Sequence, residues 1–190
     1  PVQEFFRTGF EVVDQITGGL GLPYGQMMMP RSSPGEGKST LLLTLANSLV
    51  KKEKKNVLFI SVEANQCLLA NILGSAEIDG PDTGKFRHLS IGRLGEFIEV
   101  MDAFFHSAYD VAILDGLDLL SNVPEGERIS TESLDASGKY AGYQGSTYKW
   151  IGACLRGKRQ TFIFSIHSRK RSDCRSLLSS EVPGCSSVIL

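Results

Sequence analysis

The chain has 190 residues, 42% of them hydrophobic and 22% charged, with a formal net charge of −1. That length suits one α/β domain with a real core and is short for two, and the composition excludes a disordered chain. The near-neutral charge excludes a chain-wide polyanion-binding surface, so any nucleic-acid partner must be met by a local basic cluster.

In chain order, Phe10–Ile16 carries apolar residues at Phe10, Val12, Val13 and Ile16, the spacing of a short amphipathic helix. Thr17–Gly25 is a glycine-rich turn, and Gln26–Met29 reads as a short buried strand. After a loop, Lys38 to about Val50 reads as a helix with leucines at 41, 42, 45 and 49, and Lys51–Lys55 as its solvated basic end. Val57–Val62 is a second strand, Ala64–Leu73 a helix, Gly80–Lys85 a turn and His88–Ile91 a short strand. Leu94–Phe105 has helical apolar spacing, whereas Tyr109–Leu114 is apolar on both faces, as a covered strand is. Arg128–Gly142 is polar and without period, a long loop of the kind that is usually functional or disordered. Tyr143–Leu155 reads as a helix weakened by Gly145 and Gly152, Thr161–Ile166 as a strand, Ser168–Pro183 as a basic loop and Ser186–Leu190 as a last strand.

Strands alternating with helices, most of them apolar throughout, predict a mostly parallel sheet with helices on both faces. No apolar run reaches about 18 residues, so no membrane span is expected. Cys67, Cys154, Cys174 and Cys185 form no C-x-x-C pair and read as reduced thiols of a cytoplasmic protein. Pro1-Val2-Gln3-Glu4 lacks a signal-peptide layout and an initiator Met, so the chain is read as one domain, whole or as a fragment of a longer chain.

In such sheets ligands sit at the carboxyl ends of the strands, here just after residues 29, 62, 114 and 166. The first strand leads into Ser32-Ser33-Pro34-Gly35-Glu36-Gly37-Lys38-Ser39, the G-x-x-x-x-G-K-[ST] phosphate-binding pattern with Ser32 at its first glycine. Backbone N–H groups of such a loop and the following helix N-terminus favour phosphate oxygens. Ser33, Pro34, Gly35, Glu36, Gly37, Lys38, Ser39 and Thr40 are therefore the expected nucleotide-binding residues, with Lys38 reaching the β/γ-phosphates and Ser39 binding Mg²⁺. A serine serves at position 32 if that position does not require a positive φ.

Glu63 closes the second strand, where a carboxylate can orient and deprotonate an attacking water; the plainer reading is a surface acid opening the next helix. Asp115 closes the apolar run Val111–Leu114 and is expected in the Mg²⁺ shell, with Asp118 as a substitute and a turn-forming aspartate as the plainer reading. His167, at the end of the fourth strand, is a donor that suits contact with a γ-phosphate, although a lone histidine is more often structural. The loop with Arg169, Lys170, Arg171 and Arg175 holds the densest arginine cluster, suited to nucleic-acid phosphates, to an arginine finger for a neighbouring subunit, or to plain solvation. His88 and His106 show no partner in the sequence, and Trp150 is expected in the core.

The order Thr8-Gly9-Phe10, Asp14, Gly18-Gly19-Leu20, phosphate loop, Val57–Glu63, Asp115 and His167 resembles the RecA/DnaB superfamily over nearly the whole chain. The entry segment and the second strand look most like DnaB-type replicative helicases, especially phage versions. The Gly21–Gln26 approach and the long loop before Tyr143 look equally like RecA-type recombinases. The resemblance implies a RecA-like P-loop NTPase core that hydrolyses ATP with Mg²⁺ between adjacent subunits of a hexameric ring or a filament, on single-stranded nucleic acid, with DNA the expected form. It carries Lys38 and Ser39 over as Walker A, Glu63 as the catalytic glutamate, Asp115 as Walker B and His167 as the polar sensor. Residues 168–175 overlap the family's DNA-binding loop. A KaiC-like regulatory ATPase acting on protein partners is the alternative from another class.

Overall fold

Apolar strands need cover on both faces, and the fold supplies it with helices laid against a parallel sheet. The computed structural model describes residues 3–32, 35–62, 84–117, 120, 149–167 and 185–189, with backbone alone for Ile16, Arg31, Ser32, Ile166, His167 and residues 185–189. Its elements are β1 (Phe5–Phe6), α1 (Glu11–Ile16), β2 (Leu22–Pro23), β3 (Met27–Ser32), α2 (Lys38–Lys51), β4 (Val57–Ser61), β5 (Phe86–Ser90), α3 (Leu94–Phe105) and β6 (Val111–Asp115). There follow α4 (residues 149–155), β7 (Thr161–Phe164), β8 (Ile166–His167) and β9 (Cys185–Ile189). The expected helix at Ala64–Leu73, the loop at Arg128–Gly142, the start of the helix at Tyr143 and the loop at Ser168–Pro183 lie outside the described residues.

The main sheet runs β5-β4-β6-β7-β3, with β8 on the β7 side of β3 and β9 pairing β3 in its own ladder. All of its pairings are parallel. The strand that ends in Asp115 is therefore separated from the strand that feeds the glycine loop by β7. A register of Met28 with Ile163 and Arg31 with Ile166 makes β7 and β8 one strand, interrupted at Ser165. The interruption falls opposite Pro30, which has no N–H to give a ladder. The first strand, expected to stop at Met29, in fact runs through Pro30 to Ser32.

Side chains alternate across each strand, and the two sets form two cores. Met28, Val57, Phe59, Val111, Ile113 and Ile163 face Leu42, Leu45, Ala46 and Leu49 of α2. Met27, Leu58, Ile60, Ala112, Leu114, Phe162 and Phe164 face Phe97, Met101 and Phe104 of α3 and Ile151 and Leu155 of α4. Trp150 is half-buried against this second core, its ring edge-on to Phe105 at 5.6 Å. Phe97 is fully buried, 6.0 Å from the ring of Phe162. A Phe97→Ala variant is expected to lose about 3–5 kcal/mol of stability. A lower urea midpoint at unchanged slope is the expected reading, and a wild-type midpoint would contradict this packing.

Beside the sheet, β1 and β2 form an antiparallel pair that a two-residue pattern could not announce. Lys55 also departs from the expected solvated turn: its Nζ donates to the Tyr24 hydroxyl at 2.7 Å and lies over the rings of Phe6 and Tyr24.

Candidate nucleotide-binding site

Because β3 and β4 are parallel, α2 must run back between them, so its N-terminus lies at the carboxyl edge of the sheet. The turn into it uses Gly35 and Gly37, with φ of 81° and 83°. A Cβ at either would meet no atom within 4 Å, so glycine is required there by backbone conformation and not by crowding. Gly37 is the N-cap, makes no side-chain cap, and is followed by a first turn without acidic residues. A helix start that lacks an acid of its own suits an external anion. Lys38 opens α2 and is 7% exposed, Ser39 is half-buried and Thr40 is exposed. Gly35 and Glu36 are exposed in the turn, while Ser33 and Pro34 lie outside the described residues.

On the same face as α2, three polar side chains end three neighbouring strands. Asp115 follows Val111 and Ile113 on β6, Ser165 follows Thr161 and Ile163 on the β7 line, and Ser61 follows Val57 and Phe59 on β4. Ser165 Oγ donates to Asp115 Oδ1 at 2.8 Å and accepts from the Gly116 N–H at 2.9 Å. Ser61 pairs in register with Asp115 and shares a 2.8 Å hydrogen bond between its Oγ and His88 Nε2. Neither serine was identified from the sequence. The legible signal was a serine breaking an apolar strand at the end that carries the site.

His88 thus has a partner, and its pKa lies below the usual 6.5 because burial disfavours the imidazolium. The unfolded chain then takes up a proton near pH 6.5 that the folded one refuses, so this group's contribution to stability is lost as pH falls from 6.5 through the lowered value. A His88→Gln variant is expected to show a flatter fall of Tm between pH 7 and 5 than the wild type. Parallel curves would contradict it. His106 donates from Nδ1 to the Asp102 carbonyl at 2.9 Å, a local helix-end bond.

The remaining expected residues are placed less fully. Glu63, Asp118, Arg169, Lys170, Arg171 and Arg175 lie outside the described residues. The His167 backbone closes β8, in register with Ser32 at the end of the loop strand. Val62 donates its N–H to the Asp115 carbonyl at 3.3 Å, so the chain passes beside Asp115 immediately before Glu63. Among the described residues no group of three or more His, Cys, Asp or Glu could hold a metal ion. Mg²⁺ needs no such cage, since it takes one or two protein oxygens together with phosphate and water, and Ser39 and Asp115 offer donors of that kind.

The entry segment, by contrast, is a structural fastening. Asp14 Oδ1 accepts from the Thr8 N–H at 2.9 Å and the Thr8 hydroxyl at 2.7 Å. The Gly9 carbonyl accepts from Lys52 Nζ at 3.0 Å, and a Cβ on Gly9 would press to 2.7 Å from Ser48 Oγ. These contacts tie the start of the chain to the far end of α2.

The fold and the glycine loop together define a RecA-like P-loop ATPase core. Residues 6–102, just over half of the chain, match the family model of the DnaB-like helicase C terminal domain. A stretch of 115 residues is 30% identical to the DNA repair protein RadA of Campylobacter jejuni, covering 60% of this chain and 24% of that protein. The chain belongs to the DnaB-like helicase C-terminal domain family, within the RecA/DnaB superfamily of P-loop ATPases. Among the described residues no helix is long and apolar enough to cross a membrane.

Proposed function

We propose that the chain hydrolyses ATP with Mg²⁺ at the interfaces of a homo-oligomer and couples hydrolysis to movement along single-stranded DNA, as a DnaB-like helicase. The observation that carries this reading is the family match over residues 6–102, which includes the glycine loop and α2. In this reading Gly35, Glu36, Gly37 and Thr40 together with Ser33 and Pro34 wrap the phosphates, and Lys38 meets the β/γ-phosphate charge. Ser39 and Asp115 would hold Mg²⁺, which would supply positive charge against the phosphate charge. Glu63 takes the proton of the attacking water, and His167 contacts the γ-phosphate and senses its loss. Arg169, Lys170, Arg171 and Arg175 grip DNA phosphates.

A second reading, a recombinase-type ATPase that forms filaments on single-stranded DNA, is favoured by the similarity to the repair protein RadA. The two differ in what they build and do. Closed rings that displace a strand from a forked duplex in ATP are the expected result for the helicase. Continuous filaments on single-stranded DNA, seen by electron microscopy and without strand displacement, would replace it with the recombinase.

A further inference from the structure

Ser165 sits where no ladder requires a polar side chain. It is fully buried, one residue past β7, in the gap opposite Pro30. Both of its backbone groups turn to the β6 side: its N–H donates to the Leu114 carbonyl at 2.9 Å, and its carbonyl accepts from the Leu117 N–H at 3.0 Å. The residue is therefore pinned on both sides of its Cα, and its hydroxyl has little freedom to move. That hydroxyl accepts the Gly116 N–H at 2.9 Å, which leaves its single proton for Asp115 Oδ1 at 2.8 Å. The terminal torsion of an aspartate is otherwise soft, with a broad range of carboxylate orientations. One donor on Oδ1 fixes the carboxylate plane and turns Oδ2 to a defined direction.

We infer that Ser165 is a positioning residue, whose buried hydroxyl, held by Gly116, orients the Asp115 carboxylate for its role toward Mg²⁺. The inference rests on the nucleotide reading above and deepens it. Its chemistry is that of an outer-shell partner, which orients a ligand and raises metal affinity without touching the metal. A purely structural serine would satisfy the Gly116 N–H and leave metal affinity alone.

The two roles separate in a binding measurement that needs no turnover. A fluorescent, non-hydrolysable ATP analogue is titrated into the full chain in excess EDTA and again in Mg²⁺, and the ratio of the two affinities reads the metal's share. Ser165→Ala is expected to keep the EDTA affinity and to lose about tenfold of the Mg²⁺-dependent gain, with Asp115→Asn as the benchmark for losing it. If Ser165→Ala does not fold, Ser165→Cys, which is slightly larger and donates only weakly, is expected to lower the same ratio. A wild-type ratio in the folded variant would overturn the positioning role while leaving the nucleotide site intact. A wild-type chain that binds no analogue in either buffer would overturn the nucleotide reading and this inference with it.

Discussion

Replacing Lys38 with alanine is expected to lower ATP hydrolysis by at least about a hundredfold, the scale of removing one strong charge-stabilising group from a phosphoryl-transfer site. Lys38 is the first residue of α2, is 7% exposed, and follows two glycines that only a left-handed turn requires. Its ammonium would be set against phosphate charge in a place partly withdrawn from water, where the pairing is stronger than at the surface. Alanine is a good helix former, so α2 should persist and the circular-dichroism spectrum should remain that of the wild type. Retained fold with lost nucleotide binding or hydrolysis is the expected pair of results. A folded Lys38→Ala variant that hydrolyses ATP at the wild-type rate would remove the phosphate loop from the account. The substitution does not separate helicase, recombinase and protein-directed ATPase, since each would need this lysine.

Glu63→Gln is expected to spare nucleotide binding and to slow hydrolysis by about 10²–10⁴-fold, the range for loss of a general base. β4 ends at Ser61, which pairs with Asp115, and the next residue, Val62, bonds to the Asp115 carbonyl. Val62, the residue before Glu63, therefore lies at the carboxyl edge beside Asp115, on the edge where α2 begins. Glutamine keeps the shape and loses the base. Single-turnover hydrolysis with binding measured separately distinguishes the cases. An unchanged rate would return Glu63 to a surface acid at the start of the next segment.

Much of this fold could be read from residue patterns because the patterns carry the packing. Leu94–Phe105 matches α3 as expected, and Lys38–Val50 falls one residue short of the end of α2. The runs Val57–Ile60 and Val111–Leu114 are apolar throughout because both faces of β4 and β6 are covered. What stayed hidden has physical reasons. The strand expected at Gln26–Met29 runs on through Pro30, which sits inside β3 where the ladder toward β7 is broken. The β1–β2 pair is too short for any period. Lys55 looked like one charge in a basic run, and its contact with Tyr24 spans 31 positions of sequence. In the candidate site, the glycine loop and Asp115 were legible as local motifs. The bonds from Ser165 to Asp115 and from Ser61 to His88 were not, because they join different strands and depend on register.

The central claim is that a P-loop ATPase core is coupled here to single-stranded DNA. Steady-state ATP hydrolysis by the purified chain in Mg²⁺, measured with and without single-stranded DNA, tests it most directly. The account predicts a rate that rises on adding DNA and vanishes in Lys38→Ala. A rate that is measurable, lost in Lys38→Ala and indifferent to DNA would keep the ATPase, contradict the coupling and point instead to a regulatory ATPase acting on protein partners.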